Sequence, residues 1–177
     1  MFENFEKLVK TRQSCRDFSD KPVEKEKILK LAKLAMLAPS ACNSQPWKMY
    51  CVTDVDKVKA VTKCLQEKGR NSFLSGAKAY IAVSEKQATL KPDVEKKFDG
   101  YHFVKYDVGE LIAYLTLGAK ALGLETCIIG WINHEALREE LEMSDNEACN
   151  VVIAFGYSDI PIRDKARKAE ELIIKEI

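Results

Sequence analysis

Several patterns that mark large protein classes are missing from this sequence. It has only two histidines, and no two of its six cysteines form a C-x-x-C pair. Structural zinc sites take His and Cys ligands at short, regular spacing, so a zinc site is not expected. The sequence also lacks the G-x-G-x-x-G, G-x-x-x-x-G-K-[ST] and G-x-S-x-G motifs. A Rossmann unit, a P-loop and a hydrolase nucleophile elbow are therefore not indicated.

The sequence also has no excess of charge of one sign and no long apolar run. Lys and Arg total 28 against 27 Asp and Glu, which leaves a net charge of +1, whereas nucleic-acid binding usually needs a strongly basic face. The most apolar window, residues 111–131, is interrupted by Lys120 and Glu125, although a membrane span needs about 20 residues with few charges. No signal peptide is recognisable at the start. We expect a cytoplasmic protein with reduced thiols and with neither a nucleic-acid nor a membrane partner.

What the sequence does contain is a regular alternation of helical and strand patterns. Its 177 residues, 46% of them hydrophobic, suit one domain over 1–177 with a core that needs no disulfides. Hydrophobic periodicity predicts helices over 2–10, 24–37, 55–68, 107–122 and 135–142, and strands over 47–53, 79–83, 126–130 and 151–157. Short strands spread among helices favour an α+β or three-layer fold. Residues 87–99 are charged and contain Pro92, so they are expected to form a surface segment. The helix over 107–122 is apolar on most sides, which predicts burial in the core or in an oligomer interface.

The segment Ala38–Trp47 is an unusual connection between a helix and a strand. It contains two prolines, two serines, an Asn and a Gln, and it ends in a Trp. Proline fixes φ and restricts the residue before it, so the loop should be stiff. Stiff polar loops between packed elements often carry binding sites, but a decorated turn explains the pattern equally well.

Two basic clusters lie near the two ends of the chain. In the first, Arg12 and Arg16 are four residues apart with Ser14 between them, so on a helical turn they would share a face. The second follows the last predicted strand and consists of Arg163, Lys165, Arg167 and Lys168. Guanidinium groups suit phosphates and carbonyl-rich rings. Each cluster taken alone is nevertheless more typical of a solvated surface.

The predicted strand over 126–130 ends in a glycine before a bulky aromatic residue, in the segment Cys127–Trp131. Gly130 would let a flat ligand approach the backbone closely. A buried strand that ends in a turn is the alternative.

Together and in this order, these segments resemble the FMN-dependent nitroreductase family, over nearly the whole chain. The motifs that carry the resemblance are R-x-S-x-R-x-F (Arg12–Phe18), A-P-S-x-x-N-x-Q-P-W (Ala38–Trp47), G-L-x-T-C-x-x-G-W (Gly123–Trp131), V-V-I-A-F-G-Y (Val151–Tyr157) and the basic tail. The resemblance implies an α+β, three-layer α-β-α fold with a mostly antiparallel central sheet flanked by helices. It also implies an intertwined homodimer with its flavins at the subunit interface.

The resemblance further implies which residues bind FMN. The matching positions are Arg12, Gln13, Ser14, Arg16, Pro39, Ser40, Ala41, Asn43, Asn71, Cys127, Ile128, Ile129, Gly130, Lys165 and Arg167. Arg12 and Ser14 match residues at the phosphate and ribityl chain, and Lys165 and Arg167 match a phosphate-binding pair. The segment Cys127–Gly130 matches a strand whose backbone lies against the flavin ring.

Three further parts of the implied site have different roles. Arg16 matches a basic residue beside the flavin N1 and C2 carbonyl, where it would stabilise the reduced ring. Pro39, Ser40 and Asn43 match residues that reach the flavin of the partner subunit. Asn71 matches a residue at the pyrimidine edge.

The implied activity is an oxidoreductase with a ping-pong scheme. A hydride passes from NADH or NADPH to the flavin, and a small acceptor such as a nitroaromatic or a quinone then takes the electrons. No side chain is expected to act as a catalytic acid or base, and no metal is expected. The alternatives are a specialised flavin enzyme of the same fold, of the reductive dehalogenase or flavin-fragmenting type, and a non-catalytic flavin-binding module. The aromatic stretch 98–106 is either a lid over planar substrates or a set of core contacts.

Overall fold

Four strands and six helices form the fold, in a computed structural model that describes residues 1–177. The helices are α1 (Phe2–Thr11), α2 (Lys25–Ala35), α3 (Val55–Leu65), α4 (Pro92–Glu95), α5 (Val104–Ala121) and α6 (His134–Glu140). The strands are β1 (Trp47–Val52), β2 (Ala79–Glu85), β3 (Glu125–Ile129) and β4 (Ala148–Gly156). Every element predicted from periodicity is present with different ends, and the short helix α4 was not predicted.

The strands form one antiparallel sheet in the order β1-β2-β4-β3. Successive side chains of a strand point to opposite faces, and both faces of this sheet are buried. Tyr80 and Ala82 of β2 contribute to the core on the α3 and α6 side, whereas Ile81 and Val83 contribute to the core on the α2 and α5 side. The predicted three-layer α-β-α fold is therefore confirmed. The strand β3 lies at an edge of the sheet.

The helix ends differ from the predictions for local backbone reasons. The helix predicted to reach residue 37 ends at Ala35, because the amides of Leu37 and Ala38 bond three residues back and tighten the last turn. The helix predicted to reach residue 68 ends at Leu65, since Lys68 and Gly69 have φ values of 53° and 73°. A left-handed residue cannot continue a right-handed helix.

Residues 87–99, predicted to be a surface segment, are partly buried. Ala88 and Leu90 are each 6% exposed and belong to the core under α5, so that prediction was wrong for them. Residues 98–106 were expected to form either a lid or core contacts. Phe98 and Phe103 make core contacts, since they pack against the same core. Tyr106 remains 70% exposed. None of the helices is long and apolar enough to cross a lipid bilayer.

A buried carboxylate ties β1, β2 and the start of β4 together. The Glu147 side chain is 6% exposed and accepts hydrogen bonds from Tyr50 Oη at 2.6 Å, Ser84 Oγ at 2.8 Å and Ser144 Oγ at 2.8 Å. Burial on its own raises the pKa of Glu147, but these hydrogen bonds and the charge of Lys48 outweigh it and lower the pKa to about 2. Since the unfolded value is about 4.3, the ionised Glu147 stabilises the fold at neutral pH.

We expect Glu147→Gln to lower the free energy of unfolding by about 2 kcal/mol near neutral pH, because the neutral amide cannot accept the same set of bonds. A lowered folded pKa gives stability that is present above the unfolded pKa and is lost as the pH falls through the folded pKa. The difference between the two proteins should therefore shrink between about pH 5 and pH 2. Urea unfolding across this range measures it, with the exposed Glu139→Gln as a control. A difference that does not change with pH would contradict the assignment.

Candidate cofactor site

The segment after α1 is extended and aligns three predicted site residues. The helix ends at Thr11, and Arg12 has φ −62° and ψ 127°. Gln13 and Cys15 are buried, whereas Arg12, Ser14 and Arg16 are at least partly exposed. The segment is therefore not the helical turn on which a spacing of four would have placed Arg12 and Arg16 on one face. Side chains alternate between two sides along an extended chain, so Arg12, Ser14 and Arg16 lie on the same side.

This segment lies beside the edge strand β3. Ser14 forms a parallel bridge with Thr126, and the amide of Cys15 donates to the Thr126 carbonyl at 2.8 Å. Beyond Thr126, the outer edge of β3 has no backbone partner. The backbone of Cys127–Gly130 is therefore free to bond a ligand on that side. Of these residues, Cys127 and Ile129 turn their side chains into the α3 and α6 core, while the Ile128 side chain faces the opposite side and is 42% exposed.

Side-chain bonds hold the C-terminal tail against the same segment. Arg163 Nη2 donates to the Ser14 carbonyl at 2.7 Å, and its Nε donates to Gln13 Oε1 at 3.2 Å. Lys165 Nζ donates to the Arg12 carbonyl. These bonds join residues about 150 positions apart in sequence, so the two basic clusters of the sequence form one site. Gln13 contributes to this site by accepting hydrogen bonds from Arg163, which holds the tail in place.

The joined clusters open into a cavity of about 380 Å³. Its lining includes Arg12, Ile128, Lys165 and Arg167, together with one face of α5. We call these four residues the phosphate end. The structure thus brings together four of the residues predicted from sequence, which come from three separate parts of the chain.

The phosphate end carries positive charge that no carboxylate neutralises. Arg12 Nη1 is buried and has no hydrogen-bond partner, and none of the ion pairs in the structure involves Arg12, Lys165 or Arg167. Burial and then the charges of Arg12 and Arg167 lower the pKa of Lys165. A buried donor without a partner is costly, and an anion would remove that cost.

A second group of predicted residues gathers at the far end of β3. The Asn71 side chain donates to the Leu65 carbonyl at 2.9 Å and to the Trp131 carbonyl at 3.4 Å. The Arg16 guanidinium lies 6.0 Å from the centre of the Phe73 ring. Since Trp131 follows Gly130 directly, the segment around Asn71 lies next to the end of the strand. We call Arg16, Asn71, Phe73, Gly130 and Trp131 the ring end.

The loop Ala38–Trp47 is held in a strained conformation. Cys42, Asn43 and Gln45 have φ values of 53°, 53° and 49°, and such left-handed residues cost roughly 1–2 kcal/mol each. The hydroxyl of Ser40 accepts from the Gln45 amide at 2.9 Å. Backbone strain of this kind is often retained where a site requires it.

An acidic residue that the sequence analysis left without a role supports this loop. Asp107, on α5, is 6% exposed, and its Oδ1 accepts from the Ala41 amide at 3.1 Å. Its Oδ2 is buried without a partner. The only sequence signal for this contact was an acidic residue near the start of a mostly apolar helix. The loop residues Pro39, Ser40, Ala41 and Asn43 line no part of the cavity at the phosphate end of their own chain.

Comparisons with known proteins identify the family of this chain. The model of the nitroreductase family matches residues 9–157. A protein of Archaeoglobus fulgidus, provisionally named an NADH dehydrogenase/NAD(P)H nitroreductase, is 32% identical over 155 residues, which are 85% of this chain and 83% of that protein. An iodotyrosine dehalogenase 1 homologue of Caenorhabditis elegans is 27% identical and matches 97% of this chain but 60% of its own length.

Solved structures show the same fold. A nitroreductase family protein of Streptococcus pneumoniae superposes with a TM-score of 0.84 at 22% identity, over 98% of this chain and 100% of that one. An FMN-dependent nitroreductase of Clostridium difficile superposes with a TM-score of 0.76 at 27% identity, over 96% of both chains. Because the family model matches residues 9–157, which are most of the chain, the chain belongs to the nitroreductase family.

Proposed function

We propose that this chain is an FMN-dependent oxidoreductase that takes electrons from NADH or NADPH and passes them to small planar acceptors such as nitroaromatics and quinones. The observation that carries the proposal is the Arg12 guanidinium beside Lys165 and Arg167, because its buried Nη1 has no hydrogen-bond partner. Membership of the nitroreductase family supports the reaction class. An FMN-dependent nitroreductase among the structural neighbours supports the cofactor.

The residues of the site fit FMN at both of its ends. The phosphate end offers Arg12, Lys165 and Arg167 to a phosphate dianion, which needs charge-assisted donors. The free outer edge of β3 offers backbone groups along Cys127–Gly130 to a flat ring. Ser14 lies between the two ends, on the same side of the extended segment as Arg12 and Arg16.

Bound FMN would supply a two-electron carrier, which no side chain of this protein can replace. The protein's part is to bind, orient and tune it. At the ring end, Arg16 makes no ion pair and so keeps its positive charge available. A fixed charge at the pyrimidine edge favours the reduced, more negative form of the ring.

The complete site is proposed to require a homodimer. Helix α1 buries none of its residues in its own chain, and Phe2 and Phe5 are 75% and 52% exposed. Leu172, Ile173 and Ile174 of the tail are also more than 60% exposed. Exposed large apolar side chains grouped on one helix and one tail segment are typical of an interface. In a dimer, the Ala38–Trp47 loop of one subunit would reach the flavin held by the other.

A cytoplasmic location stays a prediction. All six cysteines are free thiols in the structure, and a reducing compartment preserves thiols.

Reductive dehalogenation is the second candidate, because the iodotyrosine dehalogenase homologue matches nearly the whole of this chain. An iodinated phenol would then be the acceptor in place of a nitroaromatic. The two candidates share the cofactor site and differ in what binds over the ring.

Anaerobic titration of the FMN-loaded protein with NADH and with NADPH tests the proposal. We expect the flavin absorbance to bleach with at least one of them, and to return when a nitroaromatic or a quinone is added. Flavin that neither nucleotide reduces would indicate a binding module without catalysis. Return of colour with iodotyrosine but not with a nitroaromatic would favour the second candidate.

A further inference from the structure

One arginine near the proposed site has no role in the arrangement described above. The chain has six arginines, and only Arg138 forms an ion pair, with Asp145 at 3.0 Å. Arg12 and Arg167 belong to the phosphate end, Arg163 holds the tail to Gln13 and Ser14, and Arg16 belongs to the ring end. Arg70 is exposed and has neither an ion pair nor a side-chain hydrogen bond.

Arg70 rests on an aromatic ring. Its guanidinium carbon lies 4.8 Å from the centre of the Trp131 ring, within the range of a cation–π contact. Stacking of this kind leaves the N–H groups of a guanidinium free in its own plane. Arg70 is therefore held in position while all of its side-chain donors remain available.

The backbone on either side of Arg70 restricts where it can point. Lys68, Gly69 and Asn71 all have positive φ values, of 53°, 73° and 55°, so the chain makes a tight turn around this residue. The side chain of Asn71 then bonds the carbonyl of Trp131. The turn that carries Arg70 is thus tied to the backbone of the residue that carries the aromatic ring.

The pair borders the ring end. Trp131 follows Gly130 at the end of β3, and Asn71 and Phe73 connect the same turn to Arg16. Trp131 is 44% exposed and offers an apolar flat surface. Arg70 beside it adds a positive charge that no protein carboxylate uses.

We infer that Arg70 and Trp131 select planar acceptors that carry a negatively charged substituent, such as an aromatic carboxylate. The ring of the acceptor would lie against apolar surface that includes Trp131, and its carboxylate would accept hydrogen bonds from Arg70. This inference rests on the proposed function, because it concerns the acceptor of that same site. It makes Arg70 a residue for acceptor specificity, with no part in holding the cofactor.

Two acceptors of nearly the same shape test this inference: 4-nitrobenzoate, which is anionic, and 4-nitrobenzamide, which is neutral. We expect the wild-type protein to have the higher kcat/KM with the benzoate. Arg70→Gln should lower kcat/KM for the benzoate about fivefold, as expected for a partly exposed charge pair, and change the benzamide value less than about twofold. Arg70→Lys keeps the charge but not the planar guanidinium. Its kcat/KM for the benzoate should lie between those of the wild-type protein and Arg70→Gln.

Lys68→Gln is the matched control, since it removes one positive charge two residues away. It should leave the ratio of kcat/KM for the benzoate to kcat/KM for the benzamide nearly unchanged. Equal losses for both acceptors in Arg70→Gln, or an unchanged ratio, would overturn the inference. A change confined to the KM of NADH or NADPH would also overturn it, because Arg70 would then serve the reductant. If the wild-type protein reduces neither acceptor with either nucleotide, it is the proposed function that fails.

Discussion

Arg12→Ala is expected to weaken FMN binding about 100-fold, because a hydrogen bond to a charged group is worth about 1.5–3 kcal/mol. The removed guanidinium has a buried Nη1 without a partner and lies in the same cavity as Lys165 and Arg167. Without it, two cations would remain to bind a dianion. Affinity is measured by the quenching of flavin fluorescence on titration with protein.

Riboflavin, which has no phosphate, separates this effect from a general loss of the site. We expect its affinity to change less than about threefold in Arg12→Ala, since most of the lost interaction is with the phosphate. Lys168→Ala, which removes an exposed charge from the same tail, should affect neither ligand much. Equal losses for FMN and riboflavin would place Arg12 away from the phosphate. Circular dichroism of the apoprotein checks that the variant is folded.

Co-expression of Arg12→Ala with Asn43→Ala is expected to restore activity that neither variant has alone. If Arg12 of one subunit and Asn43 of the other belong to one site, half of the randomly mixed dimers contain one fully wild-type site. About a quarter of all sites would then be intact, given two equivalent sites per dimer. The measurement is NADH-dependent acceptor reduction by the mixed protein, compared with each variant alone.

The same experiment has a clear contrary result. If both residues served the flavin of their own subunit, every site in the mixture would carry one defect, and activity would equal the average of the two variants. Pairing Arg12→Ala with Lys165→Ala provides the control, because both residues line one cavity in one chain. If each subunit builds its own phosphate end, every site of that hybrid dimer carries one of the two substitutions. This pair should therefore show no restoration.

The proposed composite site depends on the loop Ala38–Trp47. Three of its residues are left-handed, and Ser40 and Asp107 hold it in that shape. Its exposed residues Pro39 and Asn43 lie outside the cavity at the phosphate end of their own chain. A second subunit against the apolar surfaces of α1 and the tail would give the strained loop a ligand to contact.

The elements with strong periodicity could be predicted from sequence, and their ends could not. Helix α5 and the four strands follow from hydrophobic patterning, because that pattern reports which side chains must leave water. The end of α3 at Leu65 depended on left-handed residues after it. Ala88 and Leu90 were assigned to the surface because a short charged segment gives no periodic signal, yet they complete the core under α5.

The candidate site shows the same division. The sequence by itself determined the family, the fold class and the identity of the basic residues, since these depend on residue types in order along the chain. Only the tertiary structure decided that Arg12, Ser14 and Arg16 share a face through extended rather than helical geometry, and that the tail folds back so that Lys165 reaches Arg12. It also decided that Asp107 supports the loop and that Arg70 rests on Trp131. These contacts join residues far apart in sequence, and no local pattern records which distant groups the packing of the sheet and helices brings within bonding distance.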